Sequence, residues 1–309
     1  PIWRTKDGKE SLCIGSIEEL KNEVSKSVTA GLMNENTITP DFDFHRPFID
    51  DITLVSSNGK PMYRETDLID VWFDSGAMPF AQVHYPFENK NQIDNKTNYP
   101  ADFIAEGVDQ TRGWFFTLHA ISVMLNDSVA YKNVVANGLV LDKDGNKMSK
   151  RLGNTIDPFM AVEKYGADAI RWYMLSNSAP WDNLKFDLDG VTETQRKFFG
   201  TLHNTYGFYA LYANIDNFRN DHAEIPVKQR TELDQWILSK LNSLSKLVEE
   251  AMDDYEPTKA TRAIQSFVIN DLSNWYVRLN RRRFWKGELT TDKIAAYQTL
   301  NSCLINVAK

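Results

Sequence analysis

Lys147, Lys150 and Arg151 place three positive charges within five residues, directly after an apolar run from Val134 to Leu141. Asp144, Gly145 and Asn146, strong turn formers, lie between the run and the charges. The pattern predicts a strand that empties into a mobile basic loop. Open α/β sheets bind their ligands at the carboxyl ends of parallel strands. A basic loop there would close over a polyphosphate and neutralise charge that develops on a departing phosphate. A solvated lysine-rich turn has the same letters, so charge alone does not decide between the two. A calcium loop is excluded. Asp142, Asp144 and Asn146 have part of its spacing, but Gly145 falls too early and Gly153 stands where a glutamate ligand is needed.

A second group precedes this loop. Phe103, Ile104 and Ala105 read as a buried strand that ends at Glu106, whose carboxylate can accept from ribose hydroxyls or an amino group. Gly107 allows close backbone approach to a ligand, and Asp109 and Gln110 add polar groups at a helix start. Capping of that helix is the plainer use of Asp109. Trp72 and Trp114 flank these loops in sequence, and two indoles can sandwich a branched aliphatic side chain. Further on, Arg278, Arg281, Arg282, Arg283 and Lys286 interleave with Trp275, Tyr276, Phe284 and Trp285. Guanidinium groups pair with phosphates and aromatics stack on bases. Cations at a helix end also offset its dipole, which is the structural alternative.

The elements that must position these groups follow from pattern. A helix with a Ser16–Glu19 capping box is expected to about Val28, in an otherwise irregular stretch up to residue 60. From Asp67 to Met174 short apolar strands alternate with helices, one of them from Thr111 to Leu125, which argues a parallel α/β sheet. After Asp189 the chain reads as helices. Capping boxes are expected at Thr192–Gln195 and Thr231–Asp234, a further helix opens at Pro257, and the last starts at Thr291. Both ends look like cuts in a longer protein, because the last helix carries an apolar stripe still running at Val307.

With 309 residues, 42% hydrophobic and 25% charged, the chain has the composition of a folded soluble protein, long enough for two domains of ordinary size or one large one. No apolar run is long enough to cross a bilayer as a helix. Cys13 and Cys303 cannot make a zinc site alone, and the five histidines show no metal spacing. A cytoplasmic setting is the expectation. The net charge of −7 argues against broad non-specific nucleic-acid binding but leaves room for a local basic face.

Lys147-Met148-Ser149-Lys150 resembles the KMSK signature of class I aminoacyl-tRNA synthetases. Three more segments agree in order: Asp70 to Gly76, Glu106 to Phe115, and Asp271 to Arg278. Asp74 and the Asp109-Gln110 pair are similar to the isoleucyl branch rather than the valyl or leucyl ones. Arg151, where many bacterial members carry serine, is similar to the subgroup that includes the eukaryotic enzymes. The resemblance implies the second half of a Rossmann-like parallel sheet with the KMSK loop over 1–188. The start of an all-α helical bundle, the anticodon-binding domain, then covers 189–309. It implies ATP-dependent activation of isoleucine, with Mg²⁺ accompanying ATP as substrate, and transfer to tRNA(Ile), by a protein monomeric as a whole.

By the same resemblance Lys150 is the main catalytic charge and Lys147 assists it. Met148, Ser149, Glu106, Gly107, Asp109 and Gln110 hold the ATP or adenylate. Trp72 and Trp114 line the amino-acid pocket, and Arg278, Arg281, Arg282 and Arg283 face tRNA. Such a pocket discriminates poorly against one missing methylene, a known example of limited specificity, which accounts for the family's editing domain. Pro1 to Arg4 resemble the strand that follows that domain. The family's His-Ile-Gly-His run is not among these residues, so this piece is expected to be nearly inactive alone. An RNA-binding module without adenylate recognition, and a small-molecule nucleotidyltransferase, are the rival readings. The long helical region counts against the second.

Overall fold

The computed structural model describes residues 1–309. The chain separates into two compact units, Pro1–Asp74 and Ser75–Lys309.

The first unit is more regular than its sequence suggests. Strands β1 (Ile2–Thr5), β2 (Ser11–Cys13), β3 (Thr53–Val55) and β4 (Pro61–Arg64) form an antiparallel sheet in the order β2-β1-β4-β3. Strands of three or four residues are too short to display a period of two, which is why the pattern was not legible. Helix α1 (Ile17–Thr29) packs Leu20 and Val24 against Trp3, Ile52, Leu54 and Met62. Ser16 Oγ accepts from Glu19 N at 3.1 Å, as expected of a cap. The Glu19 carboxylate reaches back to Gly15 N at 2.7 Å, one residue beyond a strict box. The Trp3 indole is fully buried, and its N–H donates to Ile52 O at 2.9 Å.

Helix α2 (Val71–Gly76) crosses the boundary between the units and is followed by the short helices α3 (Met78–Ala81) and α4 (Lys90–Asp94). Then comes a βαβ unit: β5 (Ala101–Gly107), α5 (Trp114–Asn126) and β6 (Tyr131–Asn137). The strands are parallel, paired from Ala101–Tyr131 to Gly107–Asn137. Phe115 and Leu118 of α5 pack on Ile104 and Ala130. Only this face is covered, so the expectation of a buried Phe103-Ile104-Ala105 needs correction. Ile104 turns inward, whereas Phe103 is 52% exposed, its ring centroid 5.5 Å from that of Tyr255 in a tilted pair. The expected helix from Thr111 likewise begins later, because Val108–Arg112 is a 3-10 turn.

The single strand expected over Val134–Leu141 is two. It breaks at Gly138, whose N–H leaves the ladder to donate to Pro180 O at 2.8 Å. A Cβ there would stand 2.3 Å from Asp182 O, so the crossing of these two backbones requires glycine. Strand β7 (Val140–Leu141) then pairs in parallel with β8 (Leu184–Lys185). The basic loop, α6 (Pro158–Tyr165) and α7 (Ala167–Asn177) connect them. Asp157 caps α6 by accepting from Phe159 N at 2.8 Å, with Pro158 at the first helical position.

From Leu188 onward the chain is helical. Helix α8 (Leu188–Thr194), a π-helical stretch Gln195–Phe199 and α9 (Gly200–Ile215) run on from one another. The expected Thr192–Gln195 box is absent. Helix formation starts earlier, at Asp187, whose carboxylate accepts from Asp189 N at 3.0 Å, and Thr192 instead donates to Leu188 O. Helix α10 (Glu232–Asp253) does open with the expected box between Thr231 and Asp234. Helix α11 (Pro257–Ser266), the π-helical stretch Phe267–Val277 and α12 (Arg278–Trp285) make a second rod, and α13 (Thr291–Ala308) closes the bundle. Phe198, Ile237, Leu241, Phe267, Leu272, Tyr276, Phe284, Tyr297 and Leu300 meet in its core.

The bundle grips the α/β part through α7. Thr258 donates to Ser178 O at 2.9 Å, and Arg262 donates to Ser176 O and Asn177 O at 2.8 and 2.7 Å. These are the carbonyls that the end of a helix leaves without intrahelical partners.

Candidate active site

Glu106 and Gly107 end β5, opposite Ala136 and Asn137 at the end of β6. From there the chain continues through the Gly138 break into β7 and the basic loop. Both groups of residues singled out in the sequence therefore issue from the carboxyl side of parallel strands, where side chains of a loop can reach a shared ligand.

The first group is organised by a tight turn. A Cβ on Gly107 would lie 2.5 Å from Asp109 Oδ1, so Gly107 makes room for the Asp109 carboxylate to fold back over it. Gln110 Nε2 donates to Asp109 Oδ2 at 3.2 Å, while Gln110 Oε1 accepts from Trp114 N at 3.1 Å. Gln110, not Asp109, is thus the side chain that caps the start of α5. Glu106 and Asp109 remain exposed.

Trp114 is half-buried against Ile104, Phe115 and Leu118. Its indole N–H donates to Ser75 O at 3.0 Å. The next residue, Gly76, is the position where α2 touches α5. A Cβ on Gly76 would lie 2.8 Å from Thr117 C and 2.9 Å from Ile121 Cδ1. In the sequence Gly76 is only the last letter of the Asp70 to Gly76 segment, and a glycine by itself does not signal a helix contact. Trp72 is 45% exposed on α2, and its backbone N–H donates to Asp70 Oδ1 at 2.7 Å.

The basic loop is held by Asp142, which the sequence offers only as part of an excluded calcium loop, and by Asn154, whose letter alone carries no signal. Asp142 Oδ1 accepts from Asp144 N at 3.0 Å and Asn146 N at 2.7 Å, which shapes the turn. Gly145 supplies its positive φ of 90°. Asn154 Nδ2 donates to Asp142 Oδ2 at 2.8 Å, and Asn154 Oδ1 accepts from Ser149 N at 2.9 Å. These bonds, that of Asn154 first, hold the Asp142 carboxyl below the ordinary carboxylate range. Ser149 Oγ accepts from Leu152 N at 3.3 Å and caps the turn Lys150–Leu152. Met148 packs toward Ala169, Tyr173, Leu184 and Phe186. It also lines an apolar cavity of about 180 Å³ with Val140, Ile156 and Met174. Lys147, Lys150 and Arg151 are exposed and engaged in no ion pair, so their charges are available to an anion.

The basic cluster of the second rod divides. Arg278, Arg281 and Arg282 are exposed beside the exposed Trp275 and Trp285. Arg283 turns inward to donate to Asp234 and Asp292, so it is a structural cation and leaves the candidate RNA face. No helix is long and apolar enough to cross a membrane, and no group of three His, Cys, Asp or Glu could hold a metal ion.

Two parallel strands ending at Gly107 and Asn137, a basic loop after β7 and a helical bundle gripping the helix that follows make a Rossmann-like α/β part with an appended all-α domain. Residues 1–187 match the family described as tRNA synthetases class I (I, L, M and V), and residues 234–309 match the anticodon-binding domain of tRNA ligase. The chain belongs to the class I tRNA synthetases. It is 70% identical over 309 residues to isoleucine–tRNA ligase of Cytophaga hutchinsonii, covering all of this chain and 27% of that protein. The isoleucine–tRNA ligases of Bacteroides thetaiotaomicron and Thermus thermophilus are 63% and 45% identical over the whole chain, which covers 28% of each. The chain therefore spans little more than a quarter of the length of the curated relatives it matches.

Among solved structures, the LeuRS–tRNA–LeuAMS ternary complex of Agrobacterium radiobacter K84 has a TM-score of 0.70 at 18% identity, covering all of this chain and 38% of that one. Methionyl-tRNA synthetase of Mycobacterium tuberculosis, bound by methionyl-adenylate, has 0.63 at 20% identity, covering 94% of this chain and 54% of that one. These likenesses show the fold.

Proposed function

We propose that the protein to which this chain belongs activates isoleucine with Mg²⁺–ATP, releases pyrophosphate, and transfers the isoleucyl group to tRNA(Ile). The observation that carries this reading is the 70% identity to an isoleucine–tRNA ligase over the full chain, together with three unpaired cations on a loop at a strand's carboxyl end. Attack of the isoleucine carboxylate on the α-phosphate breaks the bond to pyrophosphate, and negative charge builds on the departing oxygens. Lys150, assisted by Lys147, neutralises it. Little covalent chemistry falls to the protein, so positioning and electrostatics supply the rate.

Glu106, Gly107, Asp109 and Gln110 hold the adenosine part, with Met148 and Ser149 of the loop beside the phosphates and base. Trp72 and Trp114 supply apolar surface for the isoleucine side chain. Arg278, Arg281 and Arg282 meet tRNA phosphates. The division into a catalytic part, 1–188, and a helical part, 189–309, is supported by the two family matches.

The test is isoleucine-dependent exchange of pyrophosphate into ATP by the full-length protein. Exchange that follows isoleucine and falls by about 10²–10³-fold in Lys150→Ala supports the reading. Exchange driven by another amino acid, or unaffected by that substitution, overturns it. The 309-residue piece, without a His-Ile-Gly-His run, is expected to give almost no exchange.

A further inference from the structure

We propose that Asn154 and Asp142 are positioning residues that clasp the two ends of the basic loop and set where Lys147 and Lys150 emerge. The inference deepens the reading above and rests on it.

The loop leaves β7 at Leu141 and reaches the Asp157 cap of α6 after Ile156. Asp142 is its first residue, and Asn154 lies at its far end. The 2.8 Å bond from Asn154 Nδ2 to Asp142 Oδ2 ties these ends together. The same amide then grips the backbone on both sides of Met148. Its oxygen accepts from Ser149 N at 2.9 Å, and its nitrogen donates to Lys147 O at 3.3 Å. Lys147 is further fixed by its bridge to Leu141, and Asn146 O accepts from Asp142 N at 2.9 Å. Lys150 follows Ser149, which caps the turn carrying it, and Gly153 at φ 65° swings the chain back toward Asn154. The lysine side chains are exposed, yet the backbone at Lys147 and at Ser149, just before Lys150, is tied to the clasp.

The clasp works because its partners differ. Asp142 offers only acceptors, and its Oδ1 is already taken by two backbone amides. What meets Oδ2 must be a donor, and what meets Ser149 N must be an acceptor. A carboxamide does both from separate atoms, its nitrogen donating to Asp142 Oδ2 while its oxygen accepts from Ser149 N. Asn154→Asp keeps the acceptor but faces one carboxylate with another. Asn154→Ala removes both bonds. Adding Asp142→Asn to Asn154→Asp returns a donor–acceptor pair with its direction reversed.

The experiment uses the full-length protein, with pyrophosphate exchange as one measurement and native-state trypsin cleavage after Lys147, Lys150 and Arg151 as the other. Asn154→Asp and Asn154→Ala are expected to lower kcat about tenfold or more, with the KM for isoleucine unchanged, and to speed cleavage in the loop. The Asp142→Asn/Asn154→Asp pair restores the tie between the loop ends but not the bond to Lys147 O, and is expected to recover part of both losses. Unchanged kcat in the single variants, with or without faster cleavage, overturns the proposal, as does a double variant no better than Asn154→Asp. Lys150→Ala is the separating control. If it too leaves exchange intact, it is the reading of the loop as a pyrophosphate grip that fails.

Discussion

Arg283 donates to both carboxylate oxygens of Asp234, at 2.9 and 2.8 Å, and Asp234 is fully buried. Asp234 also accepts from Tyr276 at 2.6 Å and from Thr231 at 2.9 Å. Burial alone would push the Asp234 carboxyl up. The bonds from Arg283 and Tyr276 outweigh it and leave the group below the ordinary carboxylate value. One residue thus caps α10, anchors α12 and, through the Asp292 pair with Arg283, locates the start of α13.

Arg283→Ala strands a charge in the bundle, and about 3–5 kcal/mol of destabilisation is expected. The sign of the pH dependence follows from the lowered carboxyl. The stabilisation is fully present above the ordinary aspartate range, near 4, and is lost as pH falls through the lower folded-state value. Urea denaturation of wild type and Asp234→Asn from pH 7 to pH 3 should show the gap between them narrowing on the acid side. A gap constant over that range would contradict the pair as described.

Gly76→Ala should destabilise by about 1–3 kcal/mol, because its methyl meets the Thr117 backbone, which cannot step aside as a side-chain tip would. Trp114→Phe keeps most of the apolar contact and loses the bond to Ser75 O, with an expected loss of about 1 kcal/mol. Thermal melts of both variants check the order. If Trp114→Phe cost more than Gly76→Ala, close contact between α2 and α5 would not be the main constraint.

Arg278, Arg281 and Arg282 are exposed and Arg283 is not available, which separates RNA contact from stability. Arg282→Ala should weaken tRNA binding while leaving the melt within about 0.5 kcal/mol of wild type, and should reduce the salt slope of log K by about one. Filter binding across a salt series measures both. A slope equal to that of wild type would take Arg282 off the RNA face.

The two cysteines should behave oppositely. Burial pushes the Cys303 thiol up to about 12, whereas Cys13 lies exposed on β2. The thiolate is the reactive form, so an alkylating reagent at neutral pH should modify Cys13 and spare Cys303 until the bundle unfolds. Rapid labelling of Cys303 in native protein, read by peptide mass, would show that α13 opens readily.

The sequence by itself determined where the basic loop falls and where most of the helices run. Positively charged letters after an apolar run, turn formers between them and periodic stripes over many residues are local signals, and they placed the loop, the Thr231–Asp234 cap and the bundle. Tertiary structure decided what depends on two segments meeting. The strand after Val134 breaks because another backbone crosses at Gly138. Arg283 is internal although its neighbours in the same basic run are exposed, because Asp234 and Asp292 arrive from α10 and α13. Asn154 becomes the clasp of the loop because the chain folds back onto Asp142. Each of these is a contact between residues that are not neighbours along the chain. Composition and spacing record which groups a protein owns, whereas only the folded chain decides which of them face one another.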